Sequence, residues 1–344
     1  MRYDRKMIMR RTEMSPVVEA WATYRTSSVN DWPPHRLLRA KGNTTVSVVL
    51  PARNEEDTVG PIVTAIRRDF MESVSLVDEV VVVDSRSTDN TAARARAAGA
   101  VVVSQDDITR GLPLMLGKGG ALWSGVAVTS GDIVAFVDTD INPFDSRFVS
   151  GLLGPLLTDP SVSFVKGFYH RPLALGGHSE PDGGGRVTEL LARPLLNLYW
   201  PELAGFVQPL AGEAAGRRRV LEQVPFVSGY GVETAMLVDL FDLVGLDALA
   251  QVDLGERAHR HQGNEALGQM AAQILLTTWS RLVRSGRANA GAPLPSTLTQ
   301  FRRGGERRLP NLDREIVVSD VGIDERPPLA TFRVPRQISK AAEE

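Results

Sequence analysis

The stretch TVSVVLPARNEE, residues 45–56, decides the fold. Its first eight residues form a nearly continuous β-branched run, the pattern of a strand buried on both faces. It ends in a polar, acidic turn that opens a helix over 55–69. The same unit recurs downstream. DEVVVVD at 78–84 reads as a second strand, and Ser-Thr-Asp cap chemistry then starts a helix that stops at Gly99. A short strand over 100–104, a helix over 118–129 and the strand DIVAFVD at 132–138 continue the alternation. Strands alternating with helices make βαβ units, so the predicted fold is α/β with a mostly parallel sheet flanked by helices.

Outward from this core the pattern loosens. Residues 1–43 read as an N-terminal extension broken by Trp32-Pro33-Pro34, and 44–150 as the first half of the fold. A second, mixed half spans 151–285. It carries a strand over 161–168, a Gly/Pro/His loop over 171–185, helices over 186–203, 233–244 and 265–283, and a strand over 248–254. Residues 286–344, rich in Pro and Arg, read as an exposed, partly ordered C-terminal arm that packs on a second subunit.

Composition narrows the function. With 43% hydrophobic and 23% charged residues over 344 positions, the chain is globular rather than disordered. The 39 basic and 41 acidic residues leave a net charge of −2, without the basic surplus of a nucleic-acid protein. The absence of cysteine excludes disulfides, thiolate zinc sites and a cysteine nucleophile. The start, MRYDRKMIMRRTEMSP, lacks a signal peptide's apolar core, and no run approaches the roughly 18 apolar residues of a membrane span. A cytoplasmic protein with no membrane partner is expected. The cations are nearly all arginine; only Lys6, Lys41, Lys118, Lys166 and Lys340 are lysines, and each merits inspection. A G- and C-rich genome gives this bias, and so does life at high temperature.

The chemistry gathers at strand ends, where parallel sheets bind ligands. The first strand ends in Pro51-Ala52-Arg53-Asn54-Glu55-Glu56, and the second in Asp84-Ser85-Arg86-Ser87-Thr88-Asp89-Asn90. Both turns suit a nucleoside, and both also suit helix capping. The fourth strand ends in Asp138-Thr139-Asp140. Paired acids there are costly unless a cation compensates them, and oxygen ligands suit Mg²⁺ or Mn²⁺ bridging a diphosphate. Gly183-Gly184-Gly185-Arg186-Val187-Thr188 precedes a helix, as a phosphate or carboxylate trap would, though a capped flexible loop has the same form.

In this order, PARNEE, VVDSRSTDNT, GKGGALW and FVDTD resemble the GT-A fold nucleotide-sugar glycosyltransferases. With VKGFYHRPL, GGGRVTELLARPLL, QPLAGE, GYGVE and LGERAHRH, the stretch from Val46 to His261 looks like the glucosyl-3-phosphoglycerate synthases of actinobacteria and the related mannosyl-3-phosphoglycerate synthase. The resemblance implies a retaining hexosyltransferase acting on the C2 hydroxyl of 3-phosphoglycerate, in compatible-solute synthesis, and a homodimer. It implies a donor site of Pro51, Ala52, Arg53, Glu55, Ser85, Lys118, Asp138, Thr139 and Asp140. The acceptor would meet Gly185, Arg186, Thr188, Leu210, Arg257 and His261, and Asp140 and His259 would hold the metal. Asp138 and Glu233 would be catalytic, with Glu233 orienting the acceptor, stabilising charge on the sugar, or serving as base. Thr139 stands where Ser is expected, Arg53 replaces an apolar residue, and His261 replaces an Asn frequent in relatives. The motifs lean to UDP-glucose. The composition leans to heat, where mannosylglycerate is the more usual solute, and the reading tips slightly to GDP-mannose with a glucosyl donor tolerated. A strict UDP-glucose enzyme, a sugar nucleotidyltransferase and a non-catalytic binder are the alternatives. The nucleotidyltransferase usually has a Gly-rich basic first loop, which PARNEE is not, and the binder would lack the acids or the trap.

Overall fold

The computed structural model describes residues 14–115, 117–170, 173–175, 178–180, 185–257, 263–292, 294–302 and 315–332, with no side-chain description within 171–184. One eight-stranded sheet organises them. Its strands are β1 (Thr26–Ser28), β2 (Val46–Ala52), β3 (Glu79–Asp84), β4 (Val101–Ser104), β5 (Ile133–Phe136), β6 (Phe164–His170), β7 (Ala214–Arg217) and β8 (Leu249–Glu256), in the order β1-β8-β6-β7-β5-β2-β3-β4. Every neighbouring pair is parallel except the two made by β7, which runs antiparallel to both β5 and β6. The mostly parallel sheet is therefore as expected, and β1 and β7 are the strands of this sheet that the sequence did not announce. Ala-Ala-Gly-Arg has no β-branched residue. Its strand is imposed by the slot between β5 and β6, and tertiary context overrides propensity.

Helices α1 (Pro16–Arg25), α2 (Pro34–Lys41), α3 (Val59–Arg67), α4 (Thr91–Ala97), α5 (Lys118–Val128), α6 (Arg147–Thr158), α7 (Arg193–Tyr199), α8 (Val232–Val244) and α9 (Asn264–Arg284) surround the sheet. Alternation along β2 shows why its run is apolar throughout. Val46, Val48 and Leu50 pack into one core with residues of α2, α3 and α6, and Val49 into a second core with α5 and α8.

Several boundaries differ from the sequence reading. The first helix begins at Val59 rather than 55, because residues 55–58 form a turn in which Thr58 and Val59 both donate to Glu55 O. The helix expected over 186–203 is continuous from 186 to Tyr199, with a π-helical stretch at Thr188–Ala192 leading into α7, and it stops short ahead of Pro201. The 1–43 segment contributes core as well as edge. Trp21 is buried against Phe206, with ring centroids 4.6 Å apart, and donates to Leu249 O at 2.8 Å. Near the C-terminus, Thr297–Arg302 and Glu315–Asp320 pair as antiparallel strands. Beyond them Trp123 donates to Pro327 O at 2.9 Å, so residues around 327 lie on α5. Among the described residues no helix is long and apolar enough to cross a membrane.

Candidate active site

The carboxyl ends of β2 and β3 carry turns built on two left-handed residues, Asn54 (φ 57°) and Arg86 (φ 62°). The turns are laced to each other. Ser85 N donates to Ala52 O at 2.8 Å, Asn54 N to Ser87 Oγ at 3.0 Å, and Thr88 N to Asn54 Oδ1 at 2.9 Å. Glu55 N donates to Thr91 Oγ1 at 2.7 Å, and Asn90 N to Glu56 Oε2 at 3.0 Å. Much of the polarity read as a nucleoside seat therefore stitches one turn to the next. Thr139, buried, likewise donates to Pro51 O at 2.8 Å and fastens β5 to β2. The groups left to face a ligand are fewer. Arg53, Ser85 and Arg86 line a small recess with Gln105, Leu114, Met115 and Gly117. Ser85 Oγ donates to Gln105 Oε1, and Gln105 Nε2 donates to Met115 O at 2.8 Å.

The N-terminus of α5 brings Lys118 to the sheet's C-terminal edge. A Cβ at Gly119 would collide with Val227 O, so only glycine lets α5 press against the backbone that leads into the Gly-Tyr-Gly turn and Glu233. A Cβ at Gly212, two residues after Leu210, would collide with the Asp138 carboxylate and the Lys118 ammonium. Through these close approaches the two halves of the chain meet in one charged cluster. Lys118 Nζ pairs with Asp138 Oδ1 and lies 3.1 Å from Glu233 Oε1.

Arg257 reaches the cluster from the other side. The end of β8 is irregular, with a register shift between Asp253 and Glu256 and Gly255 at φ 90°, and this re-aims the chain. The guanidinium meets Glu213 Oε1 at 2.7 Å, Asp140 Oδ1 at 2.6 Å and Asp138 Oδ2 at 3.7 Å, and donates to Tyr169 Oη at 2.6 Å. Glu213 has no exposed surface, and among the described residues its Oε2 has no hydrogen-bond partner.

The electrostatics follow from this crowding. Burial disfavours the Lys118 ammonium, but Asp138, Glu233 and Glu213 outweigh it and hold its pKa well above a lysine's usual range. Burial alone would raise Asp138, yet Lys118 and Arg257 hold it below the ordinary carboxylate value. For Glu213 burial wins over Arg257 and the pKa is raised. Lys166, buried beside the same carboxylates, is pushed down to about 8 by desolvation.

Asp140 is half exposed, and Oδ2 takes no hydrogen bond among the described residues. A half-exposed hard oxygen ligand of this kind suits Mg²⁺ or Mn²⁺, ions often held by one or two carboxylates plus substrate phosphates. Among the described residues no group of three or more His, Asp or Glu is gathered for a metal. His259 and His261, expected as metal and acceptor contacts, lie outside the described residues. Among the residues expected to meet the acceptor, Gly185 adopts φ 78°, Thr188 is buried, and Arg186 Nη1 donates to Asn264 Oδ1 at 3.1 Å, at the start of α9. Arg257, expected with the acceptor, has its guanidinium held among carboxylates.

The model of the family described as glycosyl transferase family 2 matches residues 47–221. Glucosyl-3-phosphoglycerate synthase of Mycolicibacterium smegmatis is 48% identical over 313 residues, covering 91% of this chain and 98% of that protein. The crystal structure of mannosyl-3-phosphoglycerate synthase from Rubrobacter xylanophilus superposes with a TM-score of 0.84 at 39% identity, covering 93% of this chain and all of that one.

The chain belongs to the glucosyl- and mannosyl-3-phosphoglycerate synthase family, within glycosyl transferase family 2.

The family's GT-A sheet is the one described above. A further member, glucosyl-3-phosphoglycerate synthase of Mycobacterium tuberculosis, was crystallised with Mn²⁺, UDP and phosphoglyceric acid; it superposes with a TM-score of 0.74 at 44% identity, covering 88% of this chain and 96% of that one. Four residues of the cluster and recess were given no site role by the sequence reading: Glu213, Tyr169, Lys166 and Gln105. The first two lay inside the quoted motifs QPLAGE and VKGFYHRPL. Lys166 had a direct signal, a lysine in an otherwise apolar strand of a chain with five lysines. Gln105 follows a strand end and had none.

Proposed function

We propose that this glycosyltransferase moves a hexose from a nucleoside-diphosphate sugar to the C2 hydroxyl of 3-phosphoglycerate, with retention at the anomeric carbon. The observation that carries the reading is the meeting of Lys118, Asp138 and Glu233 with Arg257 and Asp140 at the end of β5. Cations and carboxylates from both halves converge where a sugar diphosphate and a hydroxyl acceptor have to meet.

In this reading Lys118 turns to the donor diphosphate, Asp138 holds the ribose or sugar, and Glu55, Ser85 and the recess beside Arg53 receive the nucleoside. Asp140 and His259 would hold Mg²⁺ or Mn²⁺, which when bound neutralises charge on the diphosphate. Gly185, Arg186 and Thr188 hold the acceptor phosphate, while Arg257 fixes the carboxylates beneath the reacting groups. The acceptor hydroxyl attacks from the face the diphosphate leaves, and its proton passes to a diphosphate oxygen. Glu233 aims the acceptor.

For the donor, UDP-glucose is favoured. The M. smegmatis relative is a glucosyl synthase, and M. tuberculosis glucosyl-3-phosphoglycerate synthase was crystallised with UDP-glucose. These weigh against the slight lean to GDP-mannose drawn from composition. The likeness to the R. xylanophilus mannosyl synthase keeps GDP-mannose as the second reading. Incubation with 3-phosphoglycerate, Mg²⁺ or Mn²⁺ and a panel of donors decides between them. The expected result is a phosphorylated α-hexosylglycerate, fastest from UDP-glucose; a β-linked product rules out same-face attack.

Arg186→Ala tests the acceptor assignment. Losing one charge-assisted contact costs about 1.5–3 kcal/mol, so KM for 3-phosphoglycerate should rise roughly ten- to a hundredfold while donor KM stays near its original value. Equal effects on both substrates would place Arg186 elsewhere.

A further inference from the structure

The segment from Asp324 to Phe332 lies far along the chain from the strand ends, yet it touches both halves of the candidate site. Ser228 N donates to Asp324 O at 2.8 Å and Asp324 N to Ser228 Oγ at 2.9 Å, and Glu325–Arg326 pair antiparallel with Phe226–Val227. Those partners lead through the Gly-Tyr-Gly turn into Glu233. On the other flank the ring of Trp123, on α5, meets Phe332 with centroids 5.5 Å apart.

Within this segment Arg326 is only 4% exposed. Among the described residues no carboxylate pairs with its guanidinium, and its Nε has no hydrogen-bond partner. A buried cation without a counter-charge is costly. What Arg326 does have is a carbonyl and a ring: Nη2 donates to Pro113 O at 2.6 Å, and the guanidinium lies 5.8 Å from the Trp123 ring centroid. Pro113 opens the stretch whose Leu114, Met115 and Gly117 form one wall of the recess beside Arg53 and Ser85. Residues 113–115 belong to no helix or strand. Two side chains hold their carbonyls, Gln105 at Met115 O from the Ser85 side and Arg326 at Pro113 O from the opposite one. The wall ends at Gly117, where a Cβ would collide with Gly229 N.

We propose that Arg326 is a positioning residue for the donor nucleotide: its hydrogen bond to Pro113 O fixes the Leu114–Met115 wall in the shape that receives the nucleoside. The guanidinium acts through the wall and does not meet the donor. Because its own backbone is paired to the residues before Glu233, nucleoside seat and Glu233 share one frame.

This inference rests on the reading of the recess as the nucleoside seat, and the experiment separates the two. The chain has no cysteine, so Leu114→Cys, at a half-exposed position, takes a single nitroxide label. With Arg326 in place, saturating UDP and Mg²⁺ (GDP if the donor panel selects GDP-mannose) should immobilise the label. A label indifferent to the nucleotide would remove the nucleoside from the recess and overturn the inference with that reading. In Arg326→Leu the label of the free enzyme should become more mobile. Its Kd for UDP should rise about two- to thirtyfold, the range for residues that act on a site without touching its ligand. KM for 3-phosphoglycerate should stay near the wild-type value, since the main-chain pairing with Phe226–Val227 survives the substitution. Arg326→Lys keeps a cationic donor on a long stem and should fall between wild type and Arg326→Leu, and it carries the test if the leucine variant does not fold. Arg284→Ala loosens the same segment by removing the 2.7 Å ion pair with Glu325, and should leave UDP affinity unchanged. A lowered Tm in Arg326→Leu with label mobility and UDP affinity unchanged would make Arg326 structural and overturn the proposal. An equal rise in Kd for Arg284→Ala, or an equal rise in both substrates' KM for Arg326→Leu, would assign the effect to the segment as a whole and overturn it equally.

Discussion

Glu233→Gln is expected to leave the fold and UDP binding intact and to lower kcat by roughly a hundredfold, the scale of a misplaced reacting group. The carboxylate lies at the start of α8, 3.1 Å from Lys118 and 13% exposed. Gln keeps the side chain's size and a hydrogen-bonding end, so packing against α5 survives. What disappears is the charge. The remaining product should still be α-linked, because donor and acceptor placement, rather than this side chain, sets the face of attack. Steady-state kinetics and the anomeric coupling constant of the product read both outcomes. A covalent hexosyl adduct on Glu233 would instead reveal a two-step displacement. Loss expressed mainly in acceptor KM would reduce Glu233 to a binding contact.

Arg257→Leu should be the most destabilising single change at the site. The guanidinium is 3% exposed and Glu213 is completely buried, so the substitution strands a carboxylate in the interior. Removing one partner of a buried pair costs about 3–5 kcal/mol. The loss also has a definite pH dependence. Glu213 already has a raised pKa, and without Arg257 it rises further. Between its ordinary and its raised value the native state binds more protons than the unfolded state, so stability falls as pH rises through that window. The deficit against wild type should therefore be small near pH 4 and largest at neutral pH and above. Denaturant unfolding at several pH values measures it, and a deficit independent of pH would remove Glu213 from the explanation. Adding Glu213→Leu should recover much of the stability and none of the activity, since Asp140 still lacks the guanidinium that holds it.

The two kinds of information in this sequence were unequally legible. Strands β2, β3 and β5 showed themselves because a strand covered on both faces must be apolar at every position. The acids at their ends stood out against those runs, so Asp138, Asp140 and Glu55 could be read directly. The same turns left two readings open, nucleoside seat and helix cap: Asn54, Glu56, Ser87 and Thr91 hold one turn to the next, and a polar loop looks alike whether it binds substrate or its neighbour. In the second half the roles of Glu233 and Arg257 came only from family resemblance. Their placement depends on close backbone approach at Gly119 and Gly212 and on an irregularity at the end of β8, neither of which has a local sequence period. Strand β7 was invisible for a related reason, since its pairing is decided by neighbours far along the chain.

That strand also sets a timetable for the newborn polypeptide. Once Phe136 has left the ribosome, the first four-stranded parallel portion can assemble, but the outer flank of β5 has no partner until Ala214 to Arg217 have been made. At ordinary elongation speeds the gap is roughly 4–16 s. For that interval an Ile-Val-Ala-Phe edge, buried in the finished protein, faces solvent with the amides and carbonyls of its outer flank unpaired. A chain halted between the two strands offers other chains a ready template, so the antiparallel strand that closes the middle of the sheet is also the piece whose late arrival leaves the nascent chain open to aggregation.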